Sequence, residues 1–171
     1  SWVAPCQCEH GPAVLKLGFP HFEADYEIDG LLAWNARSDS SRIENTIGSG
    51  GCVVALYDYD RQMHALLLER CLPGTFLREE DGATQDRLIA EMCVELWQTS
   101  PSPGIRTLAE MIAAWRDGAE ARYTKNPPQT SAERELVEFG LEELTTLASD
   151  VVPPRLLATD LHAGNVLAAT R

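Results

Sequence analysis

Three groups of polar residues have types and positions that could do chemistry, and the first is centred on Lys16. This residue is one of only two lysines in the chain, and it lies in the apolar run Ala13-Val14-Leu15-Lys16-Leu17. An ammonium on a half-buried strand is costly unless a carboxylate or a phosphate meets it. Strand alternation puts Val14 on the same face, which suits a nucleotide with its base over Val14 and its phosphates at Lys16. A lysine at a sheet edge that reaches solvent is the structural alternative.

The second group is acidic and lies in the stretch HFEADYEIDGLLAW. Glu27 follows Lys16 by enough residues for the chain to turn from strand into helix and bring its carboxylate to the ammonium. Glu23 lies about one helical turn earlier and is a competing candidate. An acidic helix N-terminus, favoured by the helix dipole, would explain either residue without any site.

The third group is the loop Asp160-Leu161-His162-Ala163-Gly164-Asn165, between two apolar runs. Because Gly164 permits a tight turn, a carboxylate and an amide oxygen at its two ends can share one small volume. Phosphoryl transfer needs such a pair: a carboxylate to orient and deprotonate the attacking hydroxyl, and an oxygen ligand for Mg²⁺. An ordinary Asn- and Gly-containing loop is the alternative.

The elements that must position these groups are predicted to be strands first and helices afterwards. Two strands over 2–7 and 12–19 should form a hairpin, and a helix should follow from about Pro20 to Asn35. The polar stretch 36–51 is predicted to be a surface loop. Two more strands are expected over 52–58 and 63–70. Apolar periodicity then predicts three amphipathic helices, at Ala83–Gln98, Thr107–Tyr123 and Ser131–Ser149.

Composition limits the class of protein and its partners. The 171 residues, of which 44% are hydrophobic, suffice for one domain with a core. Fourteen Lys and Arg against 26 Asp and Glu give a formal net charge of −12. No apolar run approaches the roughly 18 residues of a membrane span, and the start lacks the pattern of a leader. We therefore expect a cytoplasmic protein that binds neither nucleic acid nor membranes and attracts small cations.

Five cysteines, an odd number, indicate reduced thiols rather than a disulfide framework. Cys6, Cys8 and His10 alternate along a predicted strand, so their side chains could share one face and bind a metal. A structural zinc site usually needs four ligands, and no second Cys/His pair stands nearby. Strand residues entering a turn are therefore the favoured interpretation, and metal binding stays open.

The residues of the first and third groups match known kinase motifs in the same order. Ala13-Val14-Leu15-Lys16 and Asp160-Leu161-His162-Ala163-Gly164-Asn165 are similar to Val-Ala-Ile-Lys and Asp-Leu-x-x-x-Asn of protein kinases. More closely, the chain resembles the aminoglycoside phosphotransferases, specifically the streptomycin 6-kinase branch, also called aminoglycoside/hydroxyurea antibiotic resistance kinases. The stretches that carry this resemblance are PAVLKLGFPHFEADYEIDGLLAW, HALLLERCLPGT and LLATDLHAGNVLAA.

The resemblance implies an α+β, protein-kinase-like fold. Its N-lobe, a small antiparallel sheet with one helix, would cover residues 1–70, its hinge 71–75 and its mainly helical C-lobe 76–171. It also implies transfer of the γ-phosphoryl group of ATP, with Mg²⁺, to a hydroxyl of an aminoglycoside antibiotic, the 6-hydroxyl of streptomycin in this branch. Such a reaction confers resistance to the antibiotic.

The roles of the phosphate-binding residues follow from the same resemblance. Lys16 would hold the α- and β-phosphates and pair with an acidic residue on the first helix. The family pattern puts that residue just before the apolar run that ends at Trp34, which favours Glu27 over Glu23.

The remaining roles also follow from the resemblance. Leu68 would lie behind the base, and the backbone groups of Glu69 and Cys71 would bind adenine. Asp160 would be the catalytic base that positions the acceptor hydroxyl, and Asn165 would be a Mg²⁺ ligand.

The chain also departs from the family pattern. Relatives often have His-Gly before the catalytic Asp, whereas Ala158 and Thr159 stand here. The first strand, the phosphate-covering loop and a second, later metal-binding Asp have no counterpart in these residues, so the chain matches a kinase truncated at both ends. We therefore expect these 171 residues alone to have little or no activity. We also expect uncovered apolar surface around 155–171, which would favour a homodimer.

Two interpretations from other classes stay open. A non-catalytic, kinase-like scaffold could bind a cationic ligand on its acidic helices. A metallophosphoesterase also uses Asp-x-His after a strand, which Asp160-Leu161-His162 fits, although its further ligand motifs would have to follow within few residues. Sequence spacing does not identify the residues that would bind the acceptor.

Overall fold

An antiparallel sheet of four strands contains the N-terminal hairpin. The computed structural model describes residues 1–22, 24–40, 52–149 and 154–169. The strands of this sheet lie in the order β1-β2-β4-β3. Their bounds are β1 Trp2–Cys8, β2 Gly11–Leu17, β3 Leu56–Asp60 and β4 Ala65–Glu69. Gly11, with φ 104°, adopts the left-handed backbone conformation that the tight β1–β2 turn needs.

Helix α1 (Glu27–Ser40) covers one face of this sheet. Its Ile28 and Leu31 form a buried cluster with Leu66 of β4, and Leu56 and Leu68 lie against the same cluster. Burial of these side chains removes apolar surface from water, at roughly 25 cal/mol per Å². The helix is therefore held on the sheet chiefly by hydrophobic packing.

Two further contacts fix α1. Trp34 Nε1 donates a hydrogen bond to the carbonyl oxygen of Leu96 at 3.3 Å, which ties α1 to the end of the next helix. The Trp34 ring also lies over Gly30, where an added Cβ would be 3.2 Å from the ring. Glycine at this position allows the ring to lie close to the helix backbone.

A second, two-stranded sheet joins the middle of the chain to its end. Strand β5 (Pro73–Phe76) pairs with β6 (Leu167–Ala169), and a short 3-10 turn follows β5 at Leu77–Glu79. The amide of Leu77 donates to the carbonyl of Val166 at 2.9 Å, and that of Arg78 to the carbonyl of Ala163 at 3.0 Å. The loop that contains Asp160 is thus fixed to the 3-10 turn that directly follows β5.

The helices α2 (Gly82–Leu96), α3 (Leu108–Lys125) and α4 (Ser131–Ser149) begin at side-chain caps. Asp81 accepts from the amide of Thr84 at 3.1 Å, and Thr107 with Glu110 forms a reciprocal capping box. The hydrogen bonds from Thr84 lower the pKa of Asp81, and those from the backbone and side chain of Thr107 lower the pKa of Glu110.

The start of α4 has the same kind of cap one residue before its predicted start. Thr130 Oγ1 accepts from the amide of Glu133 at 3.2 Å, and Glu133 accepts from the amide of Thr130 at 3.3 Å. Arg134 stands three residues after Ser131 and cannot complete a capping box, whereas Glu133 stands three residues after Thr130.

The chain forms two compact units. One comprises residues 1–103 and 154–171, and contains both sheets, α1 and α2. The other comprises residues 104–153, in which α3 and α4 contact each other and Ile112 is buried. All the predicted site residues belong to the first unit. The lobe boundaries expected from the family resemblance stay a prediction.

The predicted α+β class is confirmed, and several predicted element bounds are wrong. The first helix begins at Glu27 rather than about Pro20 and continues to Ser40, so 36–40 are helical and not a loop. The rest of that predicted loop, 41–51, lies outside the described residues. Strand β3 begins at Leu56 rather than at residue 52, and β2 ends at Leu17. Among the described residues, no helix is long and apolar enough to cross a membrane.

Candidate functional site

Lys16 and Glu27 form an ion pair between β2 and α1. Lys16 Nζ donates to Glu27 Oε1, and the side chains are 26% and 33% exposed. Because each charge has an opposite partner, neither is left uncompensated in this partly buried position. Glu27 is the first residue of α1, where the helix dipole also favours a negative charge. The ion pair therefore fixes the position of the lysine side chain.

The sheet face beside this pair is apolar. Val14 lies opposite Leu68, and Lys16 lies opposite Leu66, on the adjacent strands β2 and β4. Partners in an antiparallel pair project to the same face of the sheet. Val14 and Leu68 are therefore neighbours on the face that contains the ammonium, as a base-binding surface next to a phosphate-binding group requires.

Glu69 and Cys71 lie where β4 ends. The amide of Glu69 donates to the carbonyl of Ala55 at 2.9 Å, and Glu69 Oε2 accepts from the amide of Ala55 at 3.0 Å. Cys71 is the second residue after β4. Gly74, with φ 78°, lies so close to it that an added Cβ would be 2.9 Å from the Cys71 carbonyl oxygen. The chain after β4 thus takes a tight path that only glycine accommodates at residue 74.

Asp160 and Asn165 are joined by direct hydrogen bonds within their loop. Asn165 Nδ2 donates to the carbonyl oxygen of Asp160 at 2.8 Å and to its carboxylate Oδ2 at 3.0 Å. His162 Nδ1 accepts from the amide of Gly164 at 3.0 Å, which closes the turn between them. The Asp160 side chain is 87% exposed. The loop therefore presents a fixed carboxylate to solvent, next to an amide group.

The donor set of this loop fits Mg²⁺. Because Asn165 uses its amide nitrogen to hold Asp160, its Oδ1 is the atom left to bind a cation. Carboxylate and amide oxygens are the ligands that a hard divalent cation prefers. Among the described residues, no three His, Cys, Asp or Glu side chains are grouped to hold a metal. A site here would therefore need oxygen atoms from the phosphates or from water as well.

The absence of a grouped set of metal-binding side chains among the described residues also bears on two other metal sites suggested by the sequence. In the described part of the chain, Cys6, Cys8 and His10 form no metal-binding group. Cys8 Sγ lies 3.6 Å from the Gly11 carbonyl oxygen, and the His10 ring lies against that of Tyr57, at 4.8 Å between centroids. The absence of a grouped ligand set from the described residues also gives no support to a two-metal phosphoesterase.

The structure brings the predicted site residues together in pairs. Lys16 contacts Glu27, Val14 lies opposite Leu68, and Asp160 contacts Asn165. These pairs lie within one compact unit. Glu23, the alternative partner of Lys16, lies outside the described residues. The nucleotide, metal and catalytic roles of these residues stay predictions.

Sequence reasoning missed a second ion pair that fixes α1. Arg61, in the β3–β4 turn, donates from both guanidinium nitrogens to Asp29, at 3.1 and 2.7 Å. This hydrogen bonding raises the pKa of Arg61 above its ordinary value. Both residues are ordinary surface charges in the sequence, so only their opposite signs could have suggested the contact. Asp29 is two residues after Glu27, and the pair therefore holds the same helical turn.

Three characterised proteins share about a third of their aligned residues with this chain. Streptomycin 6-kinase of Streptomyces glaucescens is 30% identical over 160 residues, and that of Streptomyces griseus is 30% identical over 162. Hydroxyurea phosphotransferase of Kitasatospora aureofaciens is 31% identical over 162 residues. Each alignment covers 93% of this chain. These matches confirm the resemblance to the streptomycin 6-kinase branch, and the relatives are all kinases or phosphotransferases by name.

The chain spans about half the length of these relatives, 47%, 43% and 47% of the three proteins. No protein-family model matches the chain. No solved structure gives a significant match. The family relationship therefore depends on the sequence alignments, and the structure adds the contacts between the aligned residues.

Proposed function

We propose that this chain, as a relative of the streptomycin 6-kinases, supplies nucleotide-binding and catalytic residues of an ATP-dependent phosphotransferase with a protein-kinase-like fold. The acceptor is a hydroxyl of an aminoglycoside antibiotic, with streptomycin as the leading candidate, and the reaction confers resistance. A cytoplasmic location, which we expect from the sequence, would give the enzyme access to ATP as the phosphoryl donor. A homodimer also stays part of the proposal.

The observation that carries this proposal is the ion pair between Lys16 and Glu27. The sequence contains only two lysines, and this one lies on a sheet face beside Val14 and Leu68. A paired, partly buried lysine next to an apolar strand surface suits the phosphates and base of a nucleotide. In protein kinases, a strand lysine is paired in the same way with a glutamate on the first helix.

The base would bind at the end of β4. Leu68 would contact it from behind, and backbone groups of Glu69 and Cys71 would bind its polar edge. Glu69 is held in place by its two hydrogen bonds to Ala55, which supports a fixed backbone path at this point. Val14, the neighbour of Leu68 on the same face of the sheet, would cover one face of the base.

Asp160 would perform the proton transfer. Its exposed carboxylate would accept the proton of the acceptor hydroxyl as the hydroxyl oxygen forms a bond to the γ-phosphorus. The bond from that phosphorus to the bridging oxygen breaks, and ADP leaves with the electron pair. Asn165 would hold Mg²⁺, which supplies charge neutralisation on the phosphates when it is bound.

Charge favours a cationic acceptor. The net charge of −12 attracts a polycation such as an aminoglycoside. Hydroxyurea is a second candidate acceptor, because a hydroxyurea phosphotransferase is 31% identical to the chain. It carries no positive charge, so the acidic surface does not favour it.

Incubation of the intact gene product with Mg-ATP and each candidate acceptor would test the function, because these 171 residues alone are expected to have little or no activity. We expect mass spectrometry to find streptomycin with one added phosphoryl group, together with an equal amount of ADP. If hydroxyurea is phosphorylated instead, the proposed phosphotransferase activity stands and its acceptor is hydroxyurea. Binding of streptomycin with no affinity for ATP or its analogues would contradict the proposal and favour a non-catalytic binding protein.

A further inference from the structure

A short segment, Val54 to Leu56, leads into β3 and forms hydrogen bonds both with α1 and with the end of β4. On one side it meets the side chain of Asn35, in the second half of α1. Asn35 Nδ2 donates to the carbonyl of Val54 at 3.3 Å, and Asn35 Oδ1 accepts from the amide of Leu56 at 3.3 Å. One amide side chain thus reproduces the donor and acceptor pattern of a neighbouring strand.

Asn35 is itself fixed to its helix. Its Nδ2 also donates to the carbonyl of Leu31, one turn earlier, at 2.8 Å. The side chain therefore cannot move away from α1 without losing a hydrogen bond of ordinary length. Displacement of the segment 54–56 is in this way transmitted to the helix backbone.

On its other side the segment meets Glu69, in the predicted adenine-binding region. Ala55 exchanges two hydrogen bonds with Glu69, one with the backbone amide at 2.9 Å and one with the carboxylate at 3.0 Å. The polar groups of an extended chain project alternately to its two sides. Val54 and Leu56 therefore bond to α1, while Ala55, between them, bonds to β4.

We propose that the side chains of Asn35 and Glu69 are positioning residues that couple α1 to the adenine-binding end of β4. Asn35 lies eight residues after Glu27, about 12 Å along one helix, so a shift at Asn35 moves the ion pair with Lys16 as well. The coupling keeps the phosphate-binding lysine and the base-binding backbone in a fixed relation. Its consequence for nucleotide binding rests on the proposed function, whereas the coupling itself does not.

Hydrogen exchange measured by mass spectrometry tests the coupling without any nucleotide. Glu69→Ala should raise exchange not only at 54–56 but also in α1, and Asn35→Ala should raise it in β4. Glu138→Ala and Asn126→Ala are matched controls, because both residues are exposed and lie in the other compact unit. A rise confined to 54–56 and the mutated element would overturn the proposal.

Conservative variants separate positioning from general loss of structure. Glu69→Gln retains a side-chain oxygen for the amide of Ala55, so exchange in α1 should return to its original rate. Asn35→Asp retains an oxygen that accepts from the amide of Leu56, and it loses the hydrogen bonds donated to Leu31 and Val54. This variant replaces Asn35→Ala if Asn35→Ala fails to fold. Raised exchange in α1 for Glu69→Gln equal to that for Glu69→Ala would contradict a role for the hydrogen bond.

Nucleotide affinity gives an independent measurement. Asn35→Ala should weaken binding of a non-hydrolysable ATP analogue by about 2- to 30-fold, the range that coupling residues reach. In a Glu27→Ala background the same substitution should have little further effect, because its influence passes through the ion pair. Full additivity of the two substitutions would overturn this route. If the original protein binds no nucleotide, the proposed function fails, and hydrogen exchange still decides the coupling.

Discussion

The amide nitrogen of Asn165 lies 3.0 Å from the carboxylate Oδ2 of Asp160 and 2.8 Å from its carbonyl oxygen. One side chain therefore holds both the backbone and the carboxylate of the proposed base. The same contact directs the amide oxygen of Asn165 away from Asp160, where it can meet a cation. In the proposed function, a single asparagine would thus both orient the base and offer a metal ligand.

In the intact gene product, Asp160→Asn should abolish most phosphoryl transfer while leaving nucleotide affinity unchanged. Loss of a general base lowers rates by about 10²- to 10⁴-fold, and the substitution keeps the size of the side chain. Initial rates of ADP release and calorimetric titration with an ATP analogue measure the two effects. The control is Asp86→Asn, an exposed residue of α2, which should retain full activity. A loss of less than about tenfold in the rate of Asp160→Asn is below the effect of a general base and would contradict that role for Asp160.

Selective acylation can test the phosphate-binding role of Lys16 with an internal control. A nucleotide acyl phosphate, which transfers its acyl group to a lysine near bound phosphates, should modify Lys16. Lys125, the only other lysine, lies in the last turn of α3 and should react slowly. Excess Mg-ATP should protect Lys16 alone. Equal modification of both lysines, unaffected by ATP, would show that Lys16 binds no nucleotide phosphate.

The helix caps at Asp81 and Glu110 should make stability decrease at acidic pH. Both carboxyl groups have a pKa below the ordinary values of 3.8 and 4.5, because they accept hydrogen bonds from Thr84 and Thr107. The stabilisation of the folded state by these two carboxylates is fully present when the pH is above the ordinary pKa values. It is lost as the pH falls through the lowered pKa of the folded state, since protonation removes the acceptor charge. Urea unfolding at pH 3 to 7 measures the slope.

Substitution by asparagine isolates the titration at Asp81. Asp81→Asn keeps a side-chain acceptor for the cap but has no carboxyl proton, so the acidic decline should become shallower. Asp86→Asn, in the same helix, should leave the decline unchanged. An identical slope in Asp81→Asn and the original protein would show that this cap does not contribute to the pH dependence.

Gly74→Ala should destabilise the fold, whereas Gly140→Ala should not. At residue 74 the backbone has φ 78°, and an added Cβ would lie 2.9 Å from the carbonyl oxygen of Cys71. Such strain costs about 1 to 3 kcal/mol. Gly140 lies within α4 with no atom near the added Cβ, and alanine there should stabilise by about 0.5 to 1 kcal/mol. Thermal unfolding of both variants distinguishes them, and equal effects would contradict the constraint at Gly74.

The sequence alone determined the class of fold, the order of most elements and the kinase relationship. Alternation identified the hairpin, because a half-buried strand must alternate its side chains. Periodicity identified the four α-helices found among the described residues, although α1 begins later than predicted. The start of α1 could not be located from composition, because the described turn residues before Glu27 resemble the first helical residues in composition. The local pattern also indicated Lys16, because charge is costly in an apolar run. It indicated Asp160 because Asp160 and Asn165 stand at the two ends of a loop in which Gly164 permits a tight turn.

Apart from the pairs Lys16–Glu27 and Asp160–Asn165, which the sequence suggested, only the tertiary structure decided which residues meet. The contact of Asn35 with the segment 54–56, and that of Asp29 with Arg61, join residues distant in sequence whose types are common on any surface. The pairing of β5 with β6 brings together strands more than ninety residues apart and only four and three residues long. Such short strands leave no periodic pattern to detect. Local composition determines what an element is, whereas packing between distant elements determines where it lies and which polar groups it satisfies.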